Sequence, residues 1–353
     1  LLGAVSVVTG ANWAIRLTCL GCYLIQFILV KKAVFGITKN EGKALVTSTV
    51  MLWSIYPLTN LYNRGALPEF LAFSLLVSLL SCWLLVLSSE GKRKLFYGGY
   101  FCLLLSLMAG THPITAFFGG LCSAVTMALW WFMQPSSRMN RVVGFGILCV
   151  ASVVFVIELA PWIDAYFAFN KQLPIAQALG RNAYHAGVDE WWVRLFPLPM
   201  DYRTLIGGIT VPTPNLDTQI NIPLLGLVAW SLWENRCAFM SRSWFRDGAV
   251  WGTLVCLFVF GAVLYASISP KGELLATSIF KYFQIAYRMT NYANLFLFLA
   301  ACALFRVRVN VRDAEHRKAN VGYAMMLSVA GCAMLLKLVN GSIAWRQAQE
   351  FGY

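Results

Sequence analysis

Apolar residues in this chain fall in long blocks separated by short polar connections, and that pattern decides what it can fold into. A bilayer core takes about 20 apolar residues wound as one helix. Ten stretches approach that requirement: 13–30, 43–58, 69–88, 96–110, 115–133, 142–162, 221–235, 247–268, 282–304 and 318–339. Only 12% of the 353 residues are charged, against roughly a quarter in a soluble domain. With 59% hydrophobic residues and a mean hydropathy of +0.65, too few polar side chains remain to coat a globule. A soluble enzyme, a disordered tail and a disulfide-stapled secreted module are excluded. The expectation is an all-α polytopic membrane protein of about ten transmembrane helices, forming one transmembrane domain over 1–353. The stretches 43–58 and 96–115 also admit a re-entrant reading.

The net charge of +13 would suggest nucleic acid in a soluble chain. In a membrane protein a Lys/Arg excess is first a topology signal. Lys31, Lys32, Lys39 and Lys43 fall in the first gap between blocks, and Lys92, Arg93 and Lys94 in the third. Arg138 and Arg141 occupy the fifth gap, and Arg236, Arg242 and Arg246 the seventh. The ninth holds Arg306, Arg308, Arg312, Arg317 and Lys318. Every second connection thus carries 17 of the 28 basic residues. The positive-inside rule assigns those loops to the cytoplasm and accounts for the charge without nucleic acid as a partner. The expected location is a plasma or inner membrane.

The ten cysteines lie almost entirely inside apolar blocks, so no disulfide framework is implied. Cys19 and Cys22 have redox or zinc spacing but no partner ligands in their apolar run, which reads as packing. The chain opens at Leu1 without a basic leader and closes at Tyr353. It is expected to be a segment truncated at one or both ends.

The other set of connections receives everything irregular, so the functional face is expected to be extracytoplasmic. The long loop at 163–220 is the one sizeable polar region, and loops of that length are usually functional. Its Trp191, Trp192, Phe196, Pro197, Pro199 and Tyr202 suit a structure lying at the interface. Stacked rings with polar edges suit sugars, which marks Tyr184, His185 and Trp191 as contacts.

Four polar constellations stand on that side. Tyr62, Arg64 and Glu69 flank a flexible Gly65 and Pro68. Arg64 is either an interfacial headgroup anchor or a bidentate holder of phosphate or carboxylate. Thr111-His112-Pro113 combines plain turn chemistry with a His able to donate to a phosphate or transfer a proton. Glu158 and Asp164 flank Pro161; an intramembrane carboxyl is costly and usually faces a polar cavity or a basic partner. Glu158 reads as snorkelling or paired with Arg16, and Asp164 as the better base. Finally, Gln284 and Arg288 share a helical face four residues apart, and with Asn291 they form a stripe suited to an anionic headgroup. No Walker-type loop, HExxH or Asp-x-Asp pair is present, so no cofactor is implied; a divalent metal stays open without a motif to hold it.

Four of these segments, in order, carry a resemblance. Leu61-Tyr-Asn-Arg64-Gly-Ala-Leu-Pro-Glu69-Phe-Leu-Ala resembles the "LYxRGAxxEfLA" stretch of a family of bacterial and archaeal multi-pass membrane proteins labelled 6-pyruvoyl-tetrahydropterin synthase-related. Thr111-His112-Pro113 is similar to that family's His-containing turn. Pro161-Trp-Ile-Asp164 resembles its "lPxxE" site with Asp for Glu, and Phe283-Gln284-Ile-Ala-Tyr-Arg288 its "QFpwR" segment without the Pro and with altered spacing. The family resembles a branch of the GT-C membrane glycosyltransferases, which take sugars from polyprenyl-phosphate carriers outside the membrane. The resemblance implies a GT-C-like fold more firmly than the activity. In GT-C enzymes the catalytic acid usually lies in the first external loop, here upstream of Leu1, so Asp164 stands in as a substitute.

Two function classes follow. One is a glycosyltransferase in which Arg64, Arg288 and His112 hold the donor phosphate while an acid deprotonates a glycan or protein acceptor hydroxyl. The other is a non-catalytic subunit, or a lipid or glycan transporter, on the same scaffold. An ion channel fits less well, because intramembrane charges form no regular ladder.

Overall fold

The computed structural model describes residues 6–8, 10–52, 67–133, 137–172, 220–240, 247–268, 289–307, 327–328 and 331. All regular structure among the described residues is helical. In chain order the helices are α1 (Ala11–Thr38), α2 (Glu41–Leu52), α3 (Leu67–Ser88), α4 (Gly91–Thr111) and α5 (Pro113–Met133). Then come α6 (Arg138–Gln172), α7 (Ile222–Glu234), α8 (Arg236–Met240), α9 (Gly248–Ile268) and α10 (Met289–Leu304). Five contain stretches long and apolar enough to cross a membrane: Trp13–Thr38, Leu67–Ser88, Gly91–Thr111, Arg138–Ala165 and Gly248–Tyr265. The last apolar segment, 318–339, lies almost wholly outside the described residues. The chain divides into two compact units, Leu1–Leu52 with Pro68–Asp164, and Trp53–Leu67 with Ala165–Tyr353.

Short connections are set by local chemistry. After α1, Lys39 turns left-handed (φ 55°) and its N–H caps the Phe35 carbonyl at 2.8 Å. Asn40 then opens α2, its side-chain oxygen accepting from the Lys43 N–H at 2.9 Å, as an N-cap does. Gly91, at φ 56°, begins α4 just after α3 ends, in a conformation that costs glycine little. Helices therefore run further than the apolar blocks do. Lys31 and Lys32 sit in the last turns of α1, Lys92, Arg93 and Lys94 in the first turn of α4, and Arg138 and Arg141 at the start of α6. The sequence reading assigned these cations to loops. Continuing the helix satisfies backbone groups that an apolar surrounding would leave unpaired, and long cationic side chains reach a helix end from within it.

The first unit is built around α3, whose residues Glu69 to Leu87 are all buried. Tyr23 of α1 meets Phe70 edge-on at 5.0 Å, and Ser74 donates to Gln26 Oε1 at 2.8 Å. On α4, Phe101 packs against Trp83 at 5.5 Å, while the Trp83 indole donates to the Met127 carbonyl of α5 at 3.3 Å. Serines 78 and 81 donate to carbonyls four residues back on α3, at 2.8 Å each. Their hydroxyls are satisfied while their small size lets neighbouring helices approach. The sixth helix closes on α4 and α5 through glycines. A Cβ at Gly98 would lie 2.6 Å from Ile147 Cδ1, and one at Gly120 would lie 3.1 Å from the Phe155 ring. Small residues at contacts are the expected device where lipid removes any hydrophobic drive between helices.

Outward faces are apolar. Leu17, Leu20, Leu24, Ile28 and Phe35 line the exposed side of α1, and Val142, Phe145, Val153, Val156 and Ile157 that of α6. Meanwhile Gln26, Thr47, Ser48, Ser74 and Ser78 are buried. A water-soluble bundle has the reverse arrangement.

In the second unit α10 is the inner helix. Every residue from Thr290 to Leu304 is buried, with α7 and α9 packed against it. Asn221 caps α7 by accepting from the Leu224 N–H at 3.1 Å, with Pro223 in the first turn. The Asn221 N–H in turn donates to Asn294 Oδ1 of α10 at 2.9 Å.

Candidate functional site

Pair contacts fix which residues share an end of the first unit. Along α4 and α6, Glu90 meets Asn140, Gly98 meets Ile147 and Ser106 meets Glu158, so the two helices run parallel. Along α5 and α6, Trp131 meets Phe145 and Gly120 meets Phe155, so that pair is antiparallel. Along α1 and α3, Tyr23 meets Phe70 and Gly36 meets Ser88, again parallel. One end of the unit therefore holds Lys31, Lys32, Lys39, Lys43, Lys92, Arg93, Lys94, Arg138 and Arg141, with Glu41 and Glu90. The opposite end holds Glu69, Ser106, His112, Glu158 and Asp164, with Arg16. The first is the basic end; the second collects the sequence-predicted site residues that the structure describes in this unit.

Glu69 occupies the first turn of α3, where the helix dipole favours a negative side chain. It is buried, at 6% exposure. His112 is the single residue between α4 and α5. Its backbone N–H ends α4 on the Met108 carbonyl at 3.1 Å. Its Nδ1 accepts from the Thr115 N–H at 3.2 Å and lies 2.8 Å from Thr115 Oγ1. With Pro113 at the first helical position, His112 does the work of an N-cap for α5. Accepting at Nδ1 places the neutral ring's proton on Nε2.

Glu158 stands inside the apolar stretch of α6, about two turns from its Ala165 end. Ser106 of α4 donates to its Oε1 at 2.5 Å. The expected partner was Arg16, but that guanidinium lies over the Trp13 ring, 5.5 Å from its centroid. Asp164 stands at the end of the apolar stretch Arg138–Ala165, while the loop expected from 163 begins later than that. The sixth helix continues through Pro161 to Gln172, and Asp164 is exposed on it. Proline supplies no N–H to the carbonyl four residues back, so the helix carries a break in its hydrogen bonding one turn before Asp164.

In the second unit Asn291 is 3% exposed on α10. Its Oδ1 and the hydroxyl of the preceding Thr290 are buried without hydrogen-bond partners. Tyr62, Arg64, Tyr184, His185, Trp191, Gln284 and Arg288 lie outside the described residues. Sequence reasoning missed Ser106 and Asn294. Asn-Ile-Pro at 221–223 is a readable helix start, but nothing local announces that Asn294, 73 residues on, holds its N–H. Ser106 carried no signal within its apolar block.

The acidic end offers carboxyls, which accept protons, and an imidazole Nε2–H, which donates a hydrogen bond. No three His, Cys, Asp or Glu side chains among the described residues stand together as a metal site. Comparison of this chain with protein-family models, with curated proteins and with solved structures finds no match.

Proposed function

We propose that the chain is a membrane glycosyltransferase of GT-C type that moves a sugar from a polyprenyl-phosphate carrier to a glycan or protein hydroxyl. The observation that carries the reading is the segregation within the first unit. Its described cations, Arg16 excepted, gather at one end, while Glu69, His112, Glu158 and Asp164 gather at the other. On this reading all ten apolar segments cross the membrane, the basic end faces the cytoplasm, and the transfer occurs at the extracytoplasmic face. Arg64 and Arg288 hold the donor phosphate and neutralise it as it leaves. Gln284, Asn291 and Tyr62 line the same headgroup, and Tyr184, His185 and Trp191 contact the sugar. A carboxyl of the chain takes the acceptor's proton.

The test is transfer from a radiolabelled polyprenyl-phosphate sugar by the full chain reconstituted in liposomes. Arg64→Ala and Arg288→Ala are each expected to abolish it, and wild-type turnover by both variants overturns the reading.

A second reading, a non-catalytic subunit or a lipid or glycan transporter, has one observation in its favour. His112 is already engaged in capping α5, which accounts for its presence without chemistry. Movement of labelled lipid-linked sugar across the bilayer without transfer would support it.

A further inference from the structure

We infer that Glu158, oriented by Ser106, is the proton-accepting carboxyl of this chain and opens to the lipid between α4 and α6. This rests on the transferase reading for the identity of the proton donor, a hydroxyl of an amphiphilic acceptor approaching from the membrane.

The placement comes first. Glu158 lies within an apolar membrane-length stretch rather than beyond its end. A carboxyl there is expensive and persists where it has a task or a partner. Glu158 has no ion pair with any described Lys, Arg or His; its partner is the Ser106 hydroxyl, at 2.5 Å. A hydroxyl orients a carboxyl without supplying a counter-charge. Ser106 occupies Oε1, and one hydroxyl on one oxygen is less than a carboxylate's full accepting capacity.

Access follows from the surroundings. Both Ser106 and Glu158 are only part-buried. Leu103, one turn before Ser106, is 51% exposed, and Ile157, adjacent to Glu158, is 65% exposed. Leu159, on the other side of Glu158, is buried. The pair thus sits on the seam between the α4–α6 contact and an apolar outer surface. A water-borne acceptor has no reason to approach by that route, while an amphiphile with its hydroxyl near the interface does.

The step balances as follows. The acceptor O–H proton passes to a Glu158 oxygen as the acceptor oxygen forms its bond to the anomeric carbon. The bond from that carbon to the phosphate oxygen breaks, and its electron pair leaves with the polyprenyl phosphate. Glu158 later returns the proton to water. Ser106 is a positioning residue in this scheme.

The experiment uses the full chain in liposomes with two carbodiimides, apolar dicyclohexylcarbodiimide and a water-soluble analogue, read by mass spectrometry of peptides. The apolar reagent is expected to modify Glu158, the soluble one to leave it, and Glu158→Gln to abolish the adduct. In the transfer assay, Glu158→Gln is expected to lower kcat by at least about 100-fold, in the range general-base loss gives. Ser106→Ala should lower kcat with KM unchanged, and Ser106→Thr should restore it. A folded, active chain with no adduct at Glu158 overturns the inference and leaves the transferase reading standing. So does a Glu158→Gln variant with wild-type turnover. Conversely, labelling at Glu158 in a wild-type chain that transfers from no polyprenyl-phosphate sugar overturns the transferase reading and supports the lipid-facing carboxyl.

Discussion

His112 shows how one side chain can answer two questions at once. Its Nδ1 accepts from the Thr115 N–H, so the residue has a structural duty whatever chemistry Nε2 performs. The two roles separate by substitution. His112→Ala is expected to destabilise the bundle by about 1 kcal/mol, the usual cost of a lost N-cap. His112→Asn restores a capping oxygen and should recover that stability in thermal unfolding in detergent. If Nε2 contributes to transfer, His112→Asn stays folded and loses turnover; if the cap is the whole role, it keeps both. Asp164 makes the opposite point. Its motif attracted attention in the sequence, yet it is an exposed residue on a continuing helix. The less conspicuous Glu158 is the carboxyl with a defined partner.

At the scale of elements, the sixth helix depends on two glycines in its neighbours. A Cβ on Gly98 would come within 2.6 Å of Ile147 Cδ1 and 2.8 Å of its Cγ1. Overpacking of this kind costs roughly 1–3 kcal/mol, against about 1 kcal/mol gained from alanine's helix propensity. Gly98→Leu, with no room for its branches, is expected to lower the unfolding temperature and to separate α6 from α4. Pairing it with Ile147→Ala should recover part of the loss. A double-mutant cycle measures the coupling, expected at about 0.5–3 kcal/mol for residues in contact; additivity would show that α6 does not rest on Gly98. The helices themselves were readable, because a 20-residue apolar run admits few conformations once water is gone. Their ends were not. Lys31 and Lys32 look like loop residues by charge, yet they continue α1, since a long aliphatic stem costs little inside a helix whose end lies a turn away.

For the whole molecule, the segregation of charge predicts sidedness. Ser137 precedes α6 at the basic end and Asp164 lies at the far end of its apolar stretch, and both are exposed. In a background with the native cysteines replaced, Ser137→Cys and Asp164→Cys in oriented vesicles should react with a membrane-impermeant maleimide from opposite sides. Labelling of both from one side would show that α6 does not cross. Little else distinguishes the chain at this scale in the way a soluble protein would be distinguished. The exposed faces of α1 and α6 are apolar, so packing of small residues and satisfied hydroxyls decides how these helices meet their neighbours.

The sequence by itself determined the helical class, the positions of the apolar segments and the alternation of charge between their connections. Each follows from a constraint that acts locally: backbone groups in an apolar setting must pair within their own helix, and charge avoids the core. Only the tertiary structure decided which polar residues meet. Ser106 and Glu158 are 52 residues apart, and Asn221 and Asn294 73. Such pairs arise from the parallel or antiparallel register of helices that approach through glycine and serine, and no local pattern encodes that register.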